Sequence, residues 1–326
     1  MTRPASGDNR SLAIEARGLV KRFDDTLAVD GVDIEVPEGA IYGILGPNGA
    51  GKTTTLRMLL GIIDPDQGVR RIFGNDRPHE VAKLIGYLPE ERGLYPAMKC
   101  DEAIAFMGAL RGLSLAEGRA RGRGLLERHG LGHAVDRQIR QLSKGMAQTV
   151  QLLGTLVHRP RLVVFDEPFS GLDAINQGKL EVMIRALADD GTTVIFSTHV
   201  IHHAERLCDD VAIIAGGKVP YAGSVDVARD RIPAQVRLET RSGDGPWLAA
   251  LPDTARHDAK AGGSHFWYFP VPETGIEALL KPLIDGEAGI LSLSIERAGL
   301  HDAFVEIAGE AAARALAEET AAGASR

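Results

Sequence analysis

Residues 46–54 read Gly46, Pro47, Asn48, Gly49, Ala50, Gly51, Lys52, Thr53 and Thr54. No other stretch constrains the chain as much. It follows the apolar run Ile41-Tyr42-Gly43-Ile44-Leu45, whose lack of alternation reads as a strand buried on both faces. It precedes Leu56-Arg57-Met58-Leu59-Leu60, which reads as a helix. A glycine-rich turn closed by Gly-Lys-Thr between a strand and a helix is what a polyphosphate-binding loop requires. Glycines let backbone N–H groups turn inward around the anion, and the helix N-terminus adds partial positive charge. Lys52 is placed to reach the β- and γ-phosphates of a nucleotide, and the Thr53 hydroxyl to hold Mg²⁺. The plainer alternative, a glycine-rich turn ahead of a helix, fits the flanking elements less well.

A chain of 326 residues has room for two domains. Its formal charge of −7 provides no general basic field for nucleic acid or anionic lipid. The two cysteines, Cys100 and Cys208, lie far apart without metal-ligand spacing, which reads as reduced thiols in a cytosolic protein. Residues 1–10 lack the apolar segment of a signal peptide and read as a disordered leader. No apolar run approaches the ~18 residues that span a bilayer, so any action at a membrane needs another chain to do the spanning.

Strand patterns are expected near 12–19, 32–36, 70–73 and 84–88. Between about 100 and 130 the pattern turns helical and charged, interrupted by Gly112, Gly118, Gly122 and Gly124. Leu162-Val163-Val164-Phe165 is a buried-strand run ending in Asp166-Glu167, and 174–187 reads as a helix. Thr193-Val194-Ile195-Phe196 is a further buried strand ending in Ser197-Thr198-His199. Strands alternating with helices predict a mostly parallel α/β sheet with ligand groups at the strands' C-terminal ends. The expected divisions are a main domain over 11–229, a small α/β domain over 230–310 and a helical tail over 311–326. In the small domain, strands are expected at 235–239, 265–269 and 290–295, and helices at 274–283 and 300–308.

Two acids at the end of an apolar strand can serve phosphoryl transfer, Asp166 holding Mg²⁺ through water and Glu167 orienting or deprotonating the attacking water. Alone, the pair reads better as a strand entering a solvated turn, and the phosphate loop upstream is what favours the metal and base roles. In order along the chain, the motif set resembles the ATP-binding subunit of an ABC transporter over about residues 11–225. Leu142-Ser143-Lys144-Gly145-Met146 stands where that family has its signature, Ser170-Gly171-Leu172-Asp173 resembles its D-loop, and His199 resembles its switch histidine. The resemblance implies a P-loop ABC ATPase fold with a helical subdomain at about 90–140. It implies ATP and Mg²⁺ as ligands, Phe23 stacking on adenine, Glu167 as general base and His199 contacting the γ-phosphate. It also implies that Ser143 and Gly145 act in trans on ATP held by a second ATP-binding subunit. A membrane-spanning permease is the implied partner, nucleic acid is not, and the implied location is the inner face of the cell membrane.

Two departures from the family pattern stand out. Where most members carry a glutamine, the chain has Glu90 in Pro89-Glu90-Glu91-Arg92-Gly93. Glu90 offers the metal an oxygen but adds a negative charge, and its plainer alternative is a solvated loop acid. The signature carries Lys144 and Met146 in place of glycine and glutamine. Both features resemble one bacterial branch, the ATPases of sodium-efflux-type and related drug or lipid exporters, whose members often have an extra C-terminal domain. The adjacent His202 and His203 are expected on a surface helix face, because metal-binding helical pairs sit three or four apart. His265-Phe266-Trp267-Tyr268-Phe269 reads as a strand with alternate side chains in a small core.

Overall fold

A computed structural model describes residues 11–91, 93–259, 264–272 and 274–309, with 312, 314 and 317 beyond them. The expected leader at 1–10 lies outside the described residues, as does the expected tail at 311–326 apart from those three positions. The chain divides into two compact units, the second spanning Val225–Glu306 and the first taking the residues up to Ser224 together with those from Ile307 on. This division falls before the 229/230 boundary expected from sequence, and the helix Val225–Arg229 goes with the second unit.

The first unit opens with a hairpin of β1 (Leu12–Phe23) and β2 (Thr26–Pro37). It continues through β3 (Ile41–Leu45), α1 (Lys52–Leu59), β4 (Gln67–Ile72) and β5 (Ile85–Leu88). Helices α2 (Cys100–Ala109), α3 (Leu115–Arg128) and α4 (Lys144–Leu156) follow. The remainder is β6 (Leu162–Phe165), α5 (Ala174–Asp189), β7 (Thr193–Thr198), α6 (Ile201–Leu207), β8 (Asp210–Ala215) and β9 (Lys218–Ser224). Strands β2, β1 and β4 form an antiparallel sheet. The main sheet runs β5-β6-β7-β3-β8-β9 and is parallel except for β9. All five residues of β3 are buried because it pairs with β7 on one side and β8 on the other and is covered on both faces.

Helices α2 to α4 share an apolar core that includes Cys100, Ile104, Leu126, Val150 and Leu153. The glycines expected to interrupt this region do not break α3. A Cβ on Gly118 would lie 3.0 Å from Ala105 Cα, and one on Gly122 would lie 2.9 Å from Ile104 Cγ2. These glycines let α3 approach α2 closely. The buried Asp101 is neutralised by Arg123 at 2.9 Å and Arg119 at 3.4 Å.

The second unit consists of α7 (Val225–Arg229), β10 (Gln235–Thr240), β11 (Arg256–Ala259), β12 (His265–Pro270), α8 (Glu277–Asp285), β13 (Ile290–Glu296) and α9 (Leu300–Ala308). Its antiparallel sheet has the order β11-β12-β10-β13. Trp267 and Phe269 of β12 enter the core with Val236, Leu238 and Trp247. Phe266, on the other face, lies under the Arg237 guanidinium, 5.4 Å from the ring centroid. Among the described residues no helix is long and apolar enough to cross a membrane.

Candidate nucleotide-binding site

The loop at 46–54 leaves the C-terminal end of β3, at the centre of the parallel sheet, and runs into α1. Gly51 precedes the helix with φ 105°, and a Cβ there would meet Ala28 O at 2.5 Å. A Cβ on Gly46 would lie 2.3 Å from Ile214 O. Neither position accepts a side chain, so the loop stays close to β2 and β8 and keeps its curvature. The first turn of α1 carries no acidic side chain of its own.

The end of β6, with the end of β7 between it and β3, brings both carboxylates to this loop. Asp166 is 1% exposed and Glu167 7%. Asp166 Oδ1 accepts from Thr53 Oγ1 at 3.1 Å and from Ser197 Oγ at 2.7 Å. The Ser197 hydroxyl in turn accepts from the Glu167 backbone N–H at 2.8 Å. Asp166 Oδ2 is buried with no hydrogen-bond partner among the described residues. Such an orphaned oxygen is costly unless a ligand meets it, and a carboxylate beside a threonine hydroxyl is the hard-oxygen donor set that suits Mg²⁺.

Lys52 is buried and folds back onto its own loop. Its Nζ donates to Gly46 O at 2.8 Å and Pro47 O at 3.2 Å, and pairs with Glu167 Oε1 at 3.1 Å. His199 Nδ1 holds the other oxygen, Oε2, at 2.9 Å. Burial pushes the Glu167 carboxyl up, but the His199 hydrogen bond and the Lys52 charge together outweigh it and hold the group below the ordinary carboxylate value. Glu90 moves the opposite way, raised by burial and by the nearby charges of Asp166 and Glu167. The fold therefore gathers the loop residues, Lys52, Thr53, Asp166, Glu167, His199 and the edge of Glu90's environment at one end of the sheet.

Phe23 and the signature residues lie elsewhere. Phe23 ends β1 and is 44% exposed, with Lys21 Nζ 5.7 Å from its ring centroid. Its hairpin borders the phosphate loop, since Ala28 of β2 crowds Gly51. Ser143 caps α4 by accepting from the Met146 N–H at 3.2 Å, and Lys144 is exposed at the first position of that helix. Ser143 and Gly145 line a cavity of about 220 Å³ with His129, Asn176 and Lys179, and none of residues 46–54 lines it.

Two residues depart from the sequence reading. Ser197 was legible only as part of a strand end, yet it links the backbone of Glu167 to the side chain of Asp166. The sole sequence signal is a serine within an otherwise apolar buried run. His203 was expected on a surface face but is 6% exposed, 3.1 Å from Glu181 Oε1 and stacked on Phe169. Its neighbour His202 is exposed.

A phosphate loop at the centre of a parallel sheet, with two carboxylates at the end of β6, one strand beyond the neighbouring β7, defines a P-loop nucleotide-binding domain. Residues 29–170 match the ABC transporter family. The daunorubicin/doxorubicin resistance ATP-binding protein DrrA of Streptomyces peucetius is 34% identical over 318 residues, covering 95% of this chain and 96% of the relative. The Nod factor export ATP-binding protein I of Burkholderia lata is 33% identical over 303 residues, covering 91% and 97%. A solved structure described as the ATP binding subunit of an ABC transporter superposes with a TM-score of 0.62 at 30% identity, over 67% of this chain and 92% of that one. The chain belongs to the ATP-binding subunits of ABC transporters.

Proposed function

We propose that this chain hydrolyses ATP in an Mg²⁺-dependent manner, as one of a pair of subunits that drive export through a separate membrane-spanning permease. The observation that carries the reading is the convergence of Lys52, Thr53, Asp166, Glu167 and His199 on one phosphate loop, with Asp166 Oδ2 buried and unpartnered among the described residues. Backbone N–H groups of 46–54 and the Lys52 ammonium hold the β- and γ-phosphates. Thr53 and Asp166, bordered by Glu90, would hold Mg²⁺, which when bound would supply charge neutralisation on the phosphates. Phe23 stacks on adenine.

Lys52 cannot both pair with Glu167 and reach the phosphates. Incoming ATP draws the ammonium away, frees Glu167 Oε1 and removes one of the charges that depress its pKa. Glu167 becomes a better base at the moment a substrate is in place. It accepts a proton from the water whose oxygen attacks the γ-phosphorus, while the bond to the bridging oxygen breaks and ADP leaves. His199 keeps the carboxylate aimed. Ser143 and Gly145 act on the nucleotide of the second subunit.

Export rests on the relatives named for drug resistance and Nod factor export. The test is a tagged Glu167→Gln chain, loaded with ATP and recovered from detergent-solubilised native membranes. The expected result is a polytopic membrane protein in near-stoichiometric amount by mass spectrometry. Recovery of only ribosomal or DNA-bound proteins would overturn the transporter role in favour of a soluble ATPase acting on nucleic acid.

A further inference from the structure

A second cluster of buried titratable side chains stands behind Glu167. His203 of α6 is 6% exposed and Glu181 of α5 is 8% exposed. His203 Nδ1 is 3.1 Å from Glu181 Oε1, and Glu181 Oε2 is 2.8 Å from the Arg206 guanidinium. The two Glu181 carboxyl oxygens face the Arg206 guanidinium and the His203 ring as acceptors, so the His203 Nδ1–H donates. Burial holds His203 below the ordinary imidazole value against the pull of Glu181, and the ring is neutral at pH 7.

This neutral ring lies flat on Phe169, with centroids 3.9 Å apart and planes within 8°. Phe169 also meets Phe196 of β7 edge-on, at 5.7 Å and 77°. An aromatic side chain held between a strand and a fixed imidazole has little room to shift.

Phe169 belongs to the turn that follows Glu167. The Ser170 N–H donates to Glu167 O at 3.1 Å, and the Leu172 N–H donates to Phe169 O at 3.2 Å. Glu167 itself has φ 47°, a left-handed conformation that a non-glycine residue keeps only where its surroundings impose it. The turn leads to Asp173, which caps α5 by accepting from the Asn176 N–H at 2.9 Å. Glu181, the anchor of His203, stands on the same helix. His199, just ahead of α6, holds the Glu167 carboxylate. Thus the segment 199–203, running from the end of β7 into α6, bears on Glu167 twice, directly at the carboxylate through His199 and by way of the following turn through His203 and Phe169.

We propose that His203 is a positioning residue for ATP hydrolysis: its ring, anchored by Glu181 and stacked on Phe169, fixes the strained turn that aims the Glu167 carboxylate. This role rests on that of Glu167 as the base. ATP binding at 46–54 does not pass through Phe169. Loss of the ring therefore slows the chemical step and leaves affinity alone.

The test uses the full chain, with steady-state phosphate release for kcat and fluorescent-nucleotide titration for ATP affinity. His203→Ala is expected to lower kcat about tenfold, since small misplacements of a catalytic group are costly, while Kd stays within about twofold. The double variant His203→Phe with Glu181→Leu keeps a ring on Phe169 and leaves no buried carboxylate without a donor. Its kcat is expected within about threefold of wild type. Wild-type kcat in the alanine variant, a parallel loss of kcat and affinity, or a double variant as slow as alanine would each overturn the assignment. A wild-type chain that binds ATP without turnover would overturn the base role of Glu167 and the role of His203 with it, a failure visible before any variant is made.

Discussion

Glu167 is held at both carboxylate oxygens and at its backbone N–H, by Lys52, His199 and Ser197 respectively. Replacing it by glutamine keeps the size and most of the hydrogen bonding but removes the group that accepts the water's proton. Glu167→Gln is expected to keep ATP binding while lowering phosphate release by about a hundredfold or more, the usual contribution of a general base. Near-normal release would remove Glu167 from that role. The same carboxylate also makes stability depend on pH. Its native pKa lies below the ordinary 4.5, so its contribution is complete above 4.5 and is lost as pH falls through the lower native value. The difference in Tm between wild type and Glu167→Gln, measured without nucleotide, should therefore narrow on acidification below 4.5. Residues that lie in motifs, such as Lys52 and His199, were legible in the sequence. Ser197 and His203 were not, because their partners, Glu167 and Glu181, are 30 and 22 residues away and meet them only through the sheet and the helix packing.

Elements were legible where burial writes a pattern. Strands β3, β6 and β7 are buried throughout and stand out as apolar runs. Strand β11, Arg256–Ala259, was missed because its Arg-His-Asp stretch is exposed, and pairing with β12 rather than burial makes it a strand. Strand β1 runs on past residue 19 to Phe23 as an exposed hairpin arm that carries no core-facing alternation. Helix α8 starts at Glu277 rather than at the expected 274. The phosphate loop allows a test at this scale, because two of its glycines share a positive φ but differ in their surroundings. Gly49 has φ 75° with open space around a Cβ, whereas Gly51 has φ 105° and Ala28 O at 2.5 Å. Gly49→Ala should cost about 1–2 kcal/mol, the ordinary penalty of a left-handed alanine. Gly51→Ala adds a clash with backbone and should lose more in a urea titration, and also weaken ATP binding by displacing the start of α1. Equal unfolding midpoints for the two variants would show that the contact with β2 does not constrain the loop.

One chain provides one phosphate loop and one signature, and the signature residues Ser143 and Gly145 open onto a cavity shared with Asn176 and Lys179. For those residues to act on ATP, a second subunit has to bring its phosphate loop to them. Each chain carries a formal charge of −7, so two copies repel at long range, and the attraction must be local and dependent on nucleotide. In the proposed pair the γ-phosphate would supply it by offering an anion to the capped N-terminus of α4. Lys144, a cation at the positive end of that helix, is unfavourable in the isolated chain and becomes favourable beside a phosphate. Light scattering on size-exclusion eluates of Glu167→Gln should therefore show 34.8 kDa without ATP and twice that with ATP and Mg²⁺. Ser143→Arg in the same background should remain at the single-chain mass while its ATP affinity is unchanged, since Ser143 does not touch the loop of its own chain. A Glu167→Gln chain that stays single at saturating ATP would exclude a homodimer and direct attention to a related second subunit. Dimers that form equally with Ser143→Arg would mean that the two chains meet through some surface other than the signature.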